Sequence, residues 1–426
     1  MSARRIPPEA PGRRGWCPGL SRPMPTGDGL LARVHPAGGL LTAAQAHAVA
    51  EGARRHGNGL IDITARANLQ IRGVGEATRG ALAAELDAAG LGDRRDDGGP
   101  QRLTLTSPLA GLDPFERIDV PALARTVEAV GLTVAGLPAK TLVTIDGGGR
   151  FGPGPAEADL VLAAVGEGRV ALGLASPEGP LWCGSLGVAQ VPGALALTLL
   201  VFAASGCRRV RDLDETGRAQ VAAAAGFLAV DGVPVPAAPL PPAGATVLGD
   251  GRAVVVAEAP FGRCHADRLD AVAAFAKDGL RLTASRGLAL PCPASGAASL
   301  RDALAAQSFI VDGADPRRAV AACPGAPACA SGSTPVPDHA ARLADAFAPF
   351  AALGLTAHVS GCAKGCAHPG TADLTLVGRD GLYGIVPAGL PGAQPMSQLT
   401  FEAALERVRR ADSAFPLDRA FRTQPR

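Results

Sequence analysis

Aromatic side chains are scarce in this chain, at 4%, with a single Tyr and two Trp. That excludes the aromatic platforms on which proteins stack single-stranded bases. An excess of one charge is also missing. Forty-one basic and 39 acidic residues leave a formal net charge of +2, so no nucleic-acid partner is expected. Long apolar runs are absent as well. The longest, GALALTLLVFAA from Gly193 to Ala204, is too short to span a bilayer. It reads as a buried helix starting after Pro192, and no membrane partner is expected. The opening MSARRIPPEAPGRRGW has arginines but no apolar segment after them, so it does not read as a secretory signal. The nine cysteines are an odd number spread over a long chain. This argues against a secreted disulfide scaffold and for a reducing, cytoplasmic compartment.

What the chain does contain is a globular mixture, 47% hydrophobic and 19% charged over 426 residues. That is too long for one ordinary core. Residues 1–28 are rich in Pro, Gly and Arg and read as an extended arm. From residue 29 the pattern is strand, helix (Thr42–Gly57), strand and turn (Gly59–Val74), and a second helix starting at Gly75. Thr42 is the expected N-cap. The pattern recurs after a Pro-rich stretch at 233–245: a strand from Arg252, a helix over 266–279 and a strand from Leu280. Arg66 and Arg286 each stand seven residues after a Gly–Leu pair. The expected organisation is an α+β fold with duplicated halves. Its parts are an arm (1–28), a first half (29–232), a linker (233–245), a second half (246–310) and a cysteine-bearing region (311–426).

Four cysteines form two short pairs. Cys323 and Cys329 are C-x5-C, Cys362 and Cys366 are C-x3-C, and a helix-like run lies between. Two such pairs on separate loops can bring four thiolates to one 4Fe–4S cluster. Gly, Pro and Ala around them suit loops that wrap a compact inorganic core. Structural zinc, disulfides and unrelated buried cysteines are the alternatives. Zinc prefers C-x2–4-C spacing, and the compartment disfavours disulfides. Cys17, Cys183, Cys207, Cys264 and Cys292 show no pairing logic and read as ordinary small residues. IDGGGRFG (Ile145–Gly152) lacks the register of a phosphate loop, and no nicotinamide fingerprint is present.

CPGAPACAS followed by VSGCAKGCAHPGTADLTLVG resembles the cluster-binding half of the sulfite and nitrite reductases. The resemblance implies duplicated ferredoxin-like halves, with a 4Fe–4S cluster on Cys323, Cys329, Cys362 and Cys366. In that family the cysteine matching Cys366 also bridges to sirohaem iron. The family's anion-binding cations map to Arg66 in ITARANLQIRG, Arg102 in RLTLTSPLAG and Lys140 in LPAKTL. The second lysine position of the last motif holds Leu142, a departure that counts against six-electron reduction of sulfite or nitrite.

Arg13–Val34, Leu137–Gly152 and Leu280–Pro291 resemble one branch of that family, the precorrin-3B synthases of aerobic cobalamin biosynthesis. That branch implies an O2-using oxidoreductase of the monooxygenase type acting on a tetrapyrrole, precorrin-3A. It is associated with a mononuclear non-haem iron beside the cluster and with NADH as electron source, directly or through a reductase. Sirohaem belongs only to the alternative, a sulfite or nitrite reductase. A polycarboxylate tetrapyrrole needs fixed cations around an apolar slot, for which arginine's planar fork is suited. Arg66, Arg102, Lys140 and Arg286 are the expected substrate-binding residues, with Arg22, Arg33, Arg72 and Arg150 secondary. His368, two residues past Cys366, and His265 read as loop or capping residues, and neither is assigned as an iron ligand. No catalytic residue is assigned.

Overall fold

The structure, a computed structural model, describes residues 17–154, 156–226, 234–411 and 417–422. The described strands form four five-stranded sheets. Two are wholly antiparallel. The first runs Met24–Thr26, Gly29–Val34, Leu69–Val74, Leu60–Ile63, Arg263–His265. The second runs Gly244–Gly249, Arg252–Glu258, Gly287–Pro293, Leu280–Leu282, Leu40–Leu41. The last strand of each comes from the other half of the chain. The two sheets and their helices share one apolar core, joining Ile61, Ile71 and Val49 to Val255, Leu269 and Leu288.

Local chemistry explains the elements. Thr42 accepts from the Gln45 amide at 3.1 Å while the Gln45 side chain accepts from the Thr42 amide at 3.0 Å. This capping box starts helix Ala43–His56. Ala46, Val49, Ala50 and Ala53 form its buried stripe. In the second half the helix is Ala266–Ala273, shorter than expected, and the helix after Val74 begins only at Arg79.

The duplication is visible in the turns. Thr64 accepts from the Ala67 amide through its carbonyl (2.9 Å) and from the Asn68 amide through its hydroxyl (3.1 Å). Thr283 does the same for Arg286 (3.1 Å) and Gly287 (3.0 Å). Ala67 and Arg286 both have positive φ, 51° and 64°. The residue matching Arg286 is therefore Ala67. The arginines aligned by sequence are one position out of register, because strand Leu60–Ile63 has four residues and Leu280–Leu282 has three.

The other two sheets also match each other. Thr104–Thr106, Val143–Asp146 and Leu160–Gly166 are parallel, followed by antiparallel Arg169–Ser176 and Gly179–Gly187. Val320–Ala322, Ala357–Ser360 and Ala372–Arg379 are parallel, followed by antiparallel Leu382–Gly389 and Ser397–Leu399. Helices Val120–Thr133 and Val336–Ala351 make the first crossovers. Both cysteine pairs leave the ends of parallel strands, where ligand sites of such sheets gather. In the first half the matching loops are tied by a carboxylate: Asp113 Oδ2 accepts from the amides of Arg150 (2.6 Å) and Phe151 (3.2 Å).

Three further expectations change. Residues 1–16 of the arm lie outside the described residues, but the rest is not an arm, since Met24–Thr26 is a sheet strand. The Pro-rich stretch ends inside strand Gly244–Gly249, and Pro239 bridges to Gly152. We propose that the division of the chain falls here. The apolar run forms helix Val191–Ala204, with Leu195, Leu199 and Phe202 buried but Leu197 and Leu200 exposed. Among the described residues no helix is long and apolar enough to cross a membrane.

One buried cation ties these parts together. Arg72 is 2% exposed. It pairs with Asp28 at 2.9 Å and Asp62 at 3.1 Å and donates to the Ala328 carbonyl at 2.6 Å. Asp62 also holds Arg263 of the second half at 2.6 Å. Arg72→Met leaves Asp28 without its counter-ion and Asp62 with Arg263 alone, and a loss of about 3–5 kcal/mol is expected. Urea unfolding of the full chain checks it, and an unchanged midpoint contradicts this role.

Candidate functional site

The two cysteine loops pack through glycines. A Cβ on Gly361 would lie 3.3 Å from the Cα atoms of Gly325 and Gly332 and 3.5 Å from Cys323 Sγ. The Gly361 amide donates to that sulfur at 3.1 Å. The Cys329 amide donates to the Gly325 carbonyl at 2.6 Å. The Ser360 hydroxyl donates to the Cys362 carbonyl at 2.7 Å, closing the start of the second loop. None of the nine cysteines is joined in a disulfide.

Burial pushes the Cys323 and Cys362 thiols up, and neighbouring Cys329 adds to both. Cys366 feels Cys362, Cys323 and Cys329 in turn, so the four groups share one locality. Crowded, half-buried thiols resist ionisation until something positive sits among them. Among the described residues no three His, Cys, Asp or Glu close around a single metal ion. A cubane makes a different demand, one thiolate for each iron, and four thiols in one locality match it in number and donor type. Cys264 is a core residue whose thiol burial pushes to about 12.

Beside the loops lies a cavity of about 1430 Å³. Cys323, Cys329 and Cys366 line it, and Cys366 is the most exposed of the four. Arg66, Arg102, Lys140 and Arg286, drawn from both halves, line it too. The other cations on its wall are Arg22, Arg33, Arg72, Arg95, Arg208, Arg209, Arg211, Arg263, Arg268 and Lys364. Five acids, Asp62, Asp93, Asp96, Glu157 and Asp212, stand against these fourteen. The wall therefore attracts a polyanion although the whole chain is nearly neutral.

The cations divide into two sets. Some are committed to the protein. Arg102 is buried, and its guanidinium donates to the carbonyls of Pro36 (3.2 Å), Ala67 (2.8 Å) and Arg66. Burial lowers its pKa to about 10. Arg209 pairs with buried Asp159 at 2.9 Å, Arg33 holds the Gln70 side chain at 2.7 Å, and Arg72 is in its ion-pair network. Others keep donors to spare. Among the described residues the Arg66 guanidinium makes one bond, to the Lys140 carbonyl at 3.0 Å. Arg286 makes one, to the Ala367 carbonyl at 2.8 Å, reaching the second cysteine loop. Burial lowers the pKa of both, a desolvation that an arriving carboxylate would offset. Lys140 is exposed and has no ion pair among the described residues. Arg150 lies outside the cavity, bonded to the Val247 carbonyl.

Arg208, Arg268 and Lys364 were not singled out from the sequence, although Lys364 stands inside C-x3-C and Arg208 opens the dense run RRVR. Leu142, where a lysine was sought, is a 2% exposed core residue. Its amide donates to Asp159 at 3.0 Å. A lysine there would bury its charge, so the departure is built into the fold.

His368 Nε2 bonds to the Thr371 carbonyl at 3.0 Å, a loop-closing contact. His265 caps helix Ala266–Ala273 through its backbone only. His358, two residues before Ser360, is fully buried with neither ring nitrogen partnered among the described residues. Burial, with His368 and Arg286, lowers its pKa to about 4, so it is neutral.

Comparison with known proteins agrees with this architecture. Residues 22–89 match the nitrite/sulfite reductase ferredoxin-like half domain. The NirA protein of Mycobacterium tuberculosis shares the fold, with a TM-score of 0.68 at 20% identity over 93% of this chain and 84% of that one. A ferredoxin–nitrite reductase of Leptolyngbya laminosa is 34% identical, but over only 27% of this chain and 23% of its own. A precorrin-3B synthase of Sinorhizobium is 35% identical over 399 residues, 90% of this chain and 84% of its own. Likeness on that scale, over a fold shared with the reductases, settles the grouping: the chain belongs to the precorrin-3B synthase family.

Proposed function

We propose that this protein is an oxidoreductase of aerobic cobalamin biosynthesis that converts precorrin-3A to precorrin-3B, using O2. The reaction hydroxylates the methylated meso carbon and closes a lactone from a ring acetate. Family membership supports the reading. The observation that carries it is the cavity, where cations of both halves face the cysteine loops across one space.

Arg66, Lys140 and Arg286 hold substrate carboxylates, because each keeps donors directed to the cavity rather than committed to the protein. Arg66 and Arg286 do so as forks and Lys140 as a point charge. Arg102 acts on the substrate through Arg66, whose carbonyl it holds. Leucines and prolines of the wall, among them Leu31, Leu60 and Pro138, meet the macrocycle.

Cys323, Cys329, Cys362 and Cys366 would hold a 4Fe–4S cluster, which supplies single electrons when bound. Those electrons come from NADH, directly or through a separate reductase. The described residues offer no ligand set for a mononuclear iron.

Anaerobically purified protein should show broad iron–sulfur absorbance without haem bands, and iron analysis should find the cubane complement. Sharp sirohaem bands would transfer the proposal to sulfite or nitrite reduction. Cys366→Ser should abolish the intact cubane; a full cubane EPR signal after reduction would refute the ligand set. Arg66→Ala should leave the cluster in place and weaken substrate binding about 10- to 100-fold, as loss of a hydrogen bond to a charged group implies. Unchanged affinity, measured by titration under anaerobic conditions, would remove Arg66 from the binding face.

A further inference from the structure

His35 follows strand Gly29–Val34 and lines the cavity. Its Nδ1 is buried with no partner among the described residues. The backbone on either side of this corner of the cavity is fixed by Arg102. That guanidinium holds the carbonyl of Pro36, the residue after His35, together with those of Arg66 and Ala67. One buried cation thus sets His35 and Arg66 in a fixed relation on the same wall.

The ring is chemically unlike its neighbours. Burial, with Arg33 and Arg102 beside it, holds its pKa well below the ordinary histidine range. A neutral imidazole keeps one N–H and one lone pair. Nδ1 is closed off inside the wall, so the nitrogen left for a ligand is Nε2. The proton is favoured there. An N–H at Nε2, facing an anionic ligand in the cavity, meets opposite charge.

We propose that His35 is a ligand-binding residue of this cavity, donating one hydrogen bond from Nε2 to an oxygen of the bound tetrapyrrole, with Arg102 as its positioning residue. This rests on the tetrapyrrole reading of the cavity given above. Unlike the arginines, which attract any carboxylate, a single neutral donor selects an oxygen at one place.

Uroporphyrin III, a stable polycarboxylate tetrapyrrole, serves as the probe with the full chain. The dissociation constant should rise about tenfold for His35→Phe. It should return most of the way for His35→Gln, whose amide can reach as Nε2 does, with the melting temperature unchanged. Histidine-labelled wild type should show the Nε2 nitrogen resonance of His35 shifting as probe is added, a readout that stands even if the Phe variant fails to fold. Undiminished affinity in folded His35→Phe, or an unmoved resonance at saturation, overturns the inference while leaving the tetrapyrrole reading intact. If wild type does not bind the probe, that reading falls and this inference with it.

Discussion

The structure depends on how Arg72 is neutralised. A guanidinium that is 2% exposed must find partners inside the protein. It finds them in three places: Asp28 in the N-terminal hairpin, Asp62 in its own sheet, and the Ala328 carbonyl next to Cys329. Asp62 passes the link to Arg263 in the second half. The first sheet, the strand it borrows and the first cysteine loop are therefore located by one desolvated charge and its hydrogen bonds. Gly27 completes the approach. Its amide donates to the Ala328 carbonyl at 3.2 Å, and a Cβ there would lie 2.1 Å from the Pro327 carbonyl oxygen.

The cavity separates two uses of positive charge. Arg72, Arg102 and Arg209 are committed to carboxylates or carbonyls of the protein and define the shape of the wall. Arg66, Lys140 and Arg286 leave donors unspent and define what the wall attracts. Net charge hides this arrangement, since the same chain carries almost as many acids as bases. Acids that pair with cations elsewhere let the cavity keep a local excess without a charged surface overall.

Much of this was legible in the sequence, because hydrophobic period, turn residues and cysteine spacing are local signals. The N-cap at Thr42, the paired cysteine loops and the repeated strand–helix–strand unit were of that kind. Bonding partners were not. The sequence could place Arg102 near an anion site, but its burial against three carbonyls is a tertiary fact. The alignment of Arg66 with Arg286 failed by one residue because strand lengths differ between halves, and only the Thr64 and Thr283 turns fix the true register. His35 and His358 carried no motif at all. Their character comes from what surrounds them.

The exchange of edge strands has a consequence for synthesis. As the chain leaves the ribosome, the first sheet is complete only when Arg263–His265 has emerged and paired with Leu60–Asp62. Leu40–Leu41 must likewise wait for Leu280–Arg281. The amino-terminal half therefore spends the translation of roughly two hundred residues with an unpaired edge. A nascent chain released before that point would expose this edge, so neither half completes its sheet until the other is present.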